Sequence, residues 1–65
     1  VLGGDHPDTL TSRNNLAVAY ETVGQLDRAI PLYERTLTDS ERALSPGHPL
    51  IALVRANLDG VRGVS

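Results

Sequence analysis

Leu2-Gly3-Gly4-Asp5-His6-Pro7 returns as Leu44-Ser45-Pro46-Gly47-His48-Pro49, an offset of 42 residues in a chain of 65. The echo runs on, with Arg13, Asn15 and Leu16 reappearing as Arg55, Asn57 and Leu58. A period in this range marks a repeat array, in which each unit buries its apolar face against its neighbours. Stacked units of this kind present a binding surface more often than a reactive centre.

Outward from the two His-Pro steps the chain reads as three helices. Pro7 suits a first helical position, where its missing N–H is no loss. Asp5 or His6 falls at the cap, and Asp8 lies in the first turn, where negative charge favours the helix dipole. The first helix is expected over 7–23 and stops at Gly24, the usual residue just past a helix end. Its apolar stripe is Leu10, Leu16, Ala17, Tyr20 and Val23, mostly at three- and four-residue steps. The second helix, over 26–44, places Leu26, Ile30, Tyr33, Leu37 and Leu44 on one face, with Ala29 and Ser40 beside them. With Asp27 as its cap, Pro31 removes only an early backbone bond and predicts a mild kink. Arg35/Asp39 and Asp39/Arg42 are spaced for weak surface pairs. The third helix, over 49–62, carries the stripe Leu50, Val54, Leu58 and Val61, with Gly60 and Gly63 weakening its end. Links this short lay consecutive helices antiparallel. The fold class is all-α, an antiparallel helical hairpin plus one further helix, forming a single unit over 1–65.

Composition narrows the function. A chain this short buries only about 60% of its unfolded surface. It has no cysteine, and its aromatic residues are Tyr20 and Tyr33 alone. With neither staples nor a dense apolar centre, it reads as a piece of a longer array, in keeping with a first residue that is not Met. Net charge is −2, with eight acids and six bases scattered along the chain, so a nucleic-acid partner is not expected. The longest apolar run, Leu16 to Tyr20, is far short of the ~18 residues of a membrane span. No signal-peptide pattern opens the chain, and the expected location is the cytoplasm. All six bases are Arg, which, with the Ala, Gly, Val and Leu usage, points to a high-GC bacterial genome.

Residues 15–37, Asn-Leu-Ala-Val-Ala-Tyr-Glu-Thr-Val-Gly-Gln-Leu-Asp-Arg-Ala-Ile-Pro-Leu-Tyr-Glu-Arg-Thr-Leu, resemble a tetratricopeptide repeat. Leu16, Ala17 and Tyr20 match the signature of its first helix and Gly24 its turn. Ala29 and Tyr33 match the small and aromatic positions of its second helix, and Thr36 stands where Ala is usual. The 42-residue period exceeds the ~34 of the ordinary repeat. With the Leu-Gly-x-x-His-Pro-Asp-Thr-Leu opening, it is similar to the kinesin-light-chain type found in regulatory proteins of bacteria, actinobacteria especially. The resemblance implies a fragment of an α-solenoid that binds a protein or peptide. It departs at the end, where Ala17-Val18-Ala19-Tyr20 gives way to Asp59-Gly60-Val61-Arg62 and the packing positions are lost.

In such repeats the inner face of the first helices lines the ligand groove, so the resemblance places Asn14, Asn15, Val18, Glu21, Thr22 and Asn57 on a partner-binding surface. An amide offers donors and an acceptor to an extended main chain. The structural alternative is that these asparagines bond neighbouring helices and order the stack. Arg13 and Arg55 are read as laying their stems over the packing seam with charge at its edge, the functional alternative being a clamp for a carboxylate or phosphate. The Asp5-His6-Pro7-Asp8 cluster is a cap and turn and not a metal site, because zinc wants about four converging ligands. Asp5 and Asp8 become Gly47 and Leu50 in the second copy. A triad of Ser12, His6 and Asp8 has no nucleophile-elbow motif behind it, and Gly3-Gly4 lacks the Lys and spacing of a phosphate loop. No catalytic activity, metal or cofactor is expected. The alternative to partner binding is a repeat spacer that self-associates through exposed apolar faces as a homodimer.

Overall fold

The computed structural model describes residues 7–64. They form three helices: α1 (Pro7–Thr22), α2 (Leu26–Ala43) and α3 (Pro49–Val64). The caps expected of Asp5 and His6 lie outside the described residues.

Local chemistry explains the two reversals of direction. Gly24 has φ +83, a conformation that costs any residue with a Cβ. It allows Gly24 N–H to reach the Glu21 carbonyl at 3.0 Å and Gln25 N–H to reach that of Tyr20 at 2.9 Å. This is the paired closure of a Schellman end, which satisfies carbonyls that the helix leaves open. The next helix starts at once, from Gln25 and without a side-chain cap; Asp27 sits in its first turn and not at its cap. At the second reversal, Leu50 N–H donates to His48 Nδ1 at 3.1 Å, and Ile51 N–H donates to the His48 carbonyl at 3.1 Å. His48 is thus a side-chain N-cap, with Pro49 at the first helical position.

One core holds the three helices together. Leu10 and Ala17 of α1, Ala29 and Tyr33 of α2, and Leu50, Val54, Leu58 and Val61 of α3 form it. Ile51 is buried as well, and Leu26, Ile30, Leu37 and Leu44 pack around the rim. Fully buried Thr36 and Ser40 donate their hydroxyls one turn back, to the carbonyls of Leu32 and Thr36, each at 2.7 Å.

The α1 stripe needs correction. Leu16 and Val23 are exposed, whereas Asn14 is buried between Leu10 and Ala17. The face of α1 that meets both neighbours runs through 10, 14 and 17, and Leu16 lies off it, in an open groove between α1 and α2. The third helix also continues through Gly60 and Gly63 to Val64, beyond 62.

The expected Asp39 pairs along α2 are replaced by a pair between helices. Arg13 donates to Asp39 at 2.6 Å across α1 and α2. Arg55 and Arg62 of α3 bond Glu41 and Glu34 of α2. Recurring Arg13 and Arg55 therefore each fasten their helix to α2 from the edge of the seam.

Candidate partner-binding face

α1 and α3 run parallel, since α2 reverses direction between them, and both are first helices of their repeat units. They meet through an amide: Asn57 Nδ2 donates to Asn14 Oδ1 at 3.1 Å. Asn14 is only 2% exposed. It belongs to the seam and does not face a ligand, which corrects its place among the surface residues. Its burial costs little because the amide has a partner. Asn57 is half-buried, leaving donor and acceptor capacity at the surface.

The remaining residues spread over the exposed arc of α1. Asn15 is exposed, one step and about 100° around the helix from Asn14. Asn57 occupies the same repeat position yet bonds the helix before it. Val18 is 38% exposed. Thr22 is exposed, with its hydroxyl donated to the Val18 carbonyl at 2.8 Å. Glu21 turns inward and accepts the Tyr33 hydroxyl at 2.8 Å. Burial is the main cause that pushes the Tyr33 phenol well above its ordinary range, and the bond to Glu21 and its negative charge push the same way.

Leu53 was missed by the sequence reading. It is 48% exposed, one turn before Asn57 on the same face, while Val18 lies one turn after Asn14. The amide rung is thus flanked diagonally by two exposed apolar side chains. The available signal was a leucine standing off the Leu50–Val54–Leu58–Val61 stripe.

This arrangement can hold a peptide or protein surface by apolar contact plus hydrogen bonds from Asn15 and Asn57. Among the described residues no three His, Cys, Asp or Glu are placed to hold a metal, and no helix is long and apolar enough to cross a membrane.

No curated protein and no solved structure gives a significant match. A family model described as tetratricopeptide repeat matches residues 9–50. Repeats of this kind are non-enzymatic scaffolds that generally mediate protein–protein interactions. The match covers well over half the chain, from the first turn of α1 through α2 to the opening of α3, and the chain belongs to the tetratricopeptide repeat family.

Proposed function

We propose that this chain is a protein-interaction module that takes a peptide or partner domain along the face shared by α1 and α3. Asn15, Val18, Thr22, Asn57 and Leu53 make the contacts, and Glu21 and Asn14 support them from below. One observation carries this reading: the Asn57–Asn14 bond holds the two first helices in register, with Val18 and Leu53 exposed on either side of it. Exposed apolar side chains around a satisfied polar rung suit a ligand whose main chain is read by amides and whose side chains cover the leucine and valine. Binding involves no turnover. The matched segment is as long as the 42-residue offset, which is in keeping with the longer, kinesin-light-chain-like subtype of the repeat.

The test is selection of peptides from a displayed library against the chain, followed by titration of the winners. Val18→Asp and Leu53→Asp should each weaken binding about tenfold or more, since each places a charge in an apolar contact. Asn15→Ala should weaken it by a smaller factor. Unchanged affinity in all three variants would remove the assignment to this face. Asn57→Ala is a poorer probe, because it also leaves buried Asn14 without its donor.

A second reading, self-association, is favoured by the exposure of Val23 and Leu53. Sedimentation across a range of concentrations checks it, and a monomer at every concentration excludes it.

A further inference from the structure

Between its two ends, the face shared by α1 and α3 presents no charge. On α1 it runs through Thr11, Asn15, Val18 and Thr22, all exposed, at the three- and four-residue steps of one helical side. On α3 the repeat copies Leu53, Asn57 and Gly60 continue it. The charged side chains of both helices are drawn off this line. Arg13, Arg55 and Arg62 are held by Asp39, Glu41 and Glu34 of α2. Glu21 accepts the Tyr33 hydroxyl at 2.8 Å. Asp59 is two residues from Asn57, about 200° around α3. Asp8, in the first turn of α1, bounds the strip at one end. Between Asp8 and Thr22 a ligand meets hydroxyls, two amides and apolar side chains.

Gly60 makes a gap in this strip. Its copy one repeat earlier is Val18. The Asn57–Asn14 bond sets the level at which α1 and α3 face each other. Val18 stands four residues beyond Asn14 and Gly60 three beyond Asn57, so the two lie opposite, one turn past the amide rung. Val18 is a partly exposed wall. Across from it, nothing lies within 4 Å of where a Cβ at Gly60 would stand. Neither crowding nor a positive φ requires glycine at this place, and glycine weakens a helix interior relative to alanine. The outcome is a notch with bare backbone for a floor, Val18 for a wall and the Asn57 amide at its edge.

We propose that this face selects an uncharged, extended segment of a partner protein and seats one bulky apolar side chain of it in the notch between Val18 and Gly60. The proposal rests on the assignment of partner binding to this face and adds the chemistry that the face selects. A carboxylate, phosphate or ammonium laid along the strip would give up water and meet no counter-charge, which is costly. Asn15 and Asn57 instead suit the N–H and C=O groups of a main chain. Leu53 and Gly60 are seven residues apart, about 10 Å along α3. In the polyproline II form, residues three apart share a side and rise about 9 Å. The ligand therefore carries two apolar residues three apart, one over Leu53 and the bulkier one in the notch.

The experiment selects a displayed library of short random peptides against the full chain and titrates the enriched sequences by fluorescence anisotropy. Their central residues should be uncharged, with an apolar pair three residues apart, and their affinity should change little as salt is raised. Gly60→Leu fills the notch with a better helix former and should weaken binding about tenfold, with Gly60→Ala weakening it by a smaller factor. Far-UV circular dichroism verifies that both variants are folded. Enriched peptides with charged centres, affinity that falls steeply with salt, or a folded Gly60→Leu variant that binds as tightly as the parent would each overturn the proposal. If Val18→Asp and Leu53→Asp still weaken binding in that case, the face stands and only the selectivity and the notch fall. If those two variants bind as tightly as the parent, the face itself is wrong and the proposal falls with it.

Discussion

Tyr33 shows how one side chain links the core to the surface. Its ring is fully buried against α1 and α3, and its hydroxyl reaches Glu21 near the proposed binding face. The folded protein holds the phenolic proton to higher pH than the unfolded chain, where it leaves near the ordinary value of 10.0. The folded state therefore binds more protons above that pH. Stability from this group is complete below pH 10 and falls as pH rises beyond it. Tyr33→Phe should lose about 1 kcal/mol at neutral pH, the usual worth of such a bond. Urea denaturation repeated from pH 8 to 11 should show the parent losing its advantage over the variant. The aromatic packing role of Tyr33 was legible in the sequence. Its bond to Glu21 was not, because Glu21 sits twelve residues away on another helix and the meeting depends on how α1 and α2 rotate against each other.

The two reversals between helices have their own stop and start chemistry, and most of it can be read residue by residue. Gly24 is the clearest case. Nothing lies within 4 Å of where its Cβ would stand, so a substitution there is limited by backbone conformation alone. Gly24→Ala should destabilise the hairpin by about 1 kcal/mol, with a β-branched residue such as Val costing more; thermal unfolding followed by circular dichroism measures both. The His-Pro step was likewise legible as a helix start, and His48 fills the cap role with its ring nitrogen. What eluded the element-level reading was the facing of α1. Leu10 and Ala17 point one way and Leu16 another, so the helix has apolar residues on two sides and no single stripe to follow. α2 and α3 have one dominant apolar face each, and their orientation follows from spacing alone.

At the scale of the molecule, equal residues acquire unequal roles. Leu16 and Leu58 occupy the same position of the repeat, but only Leu58 has a helix over it. Leu58→Ala should cost about 2–5 kcal/mol, as for other buried leucines, whereas Leu16→Ala should cost less than about 1 kcal/mol. Guanidinium denaturation midpoints of the two variants check this contrast, and equal midpoints would show that the groove beside Leu16 is covered in solution. Asn14 and Asn15 divide in the same way, one drawn into the seam by Asn57 and its neighbour left at the surface. The sequence alone determined the repeat, the three helices, their antiparallel order and the membership of most of the core. Those properties rest on short-range rules of period, capping and turn geometry, which act within a few residues. Only the tertiary structure decided which of two like residues is buried and which arginines find acids. These outcomes depend on the rotation of each helix against its neighbours, a property of the packed assembly that no local spacing carries.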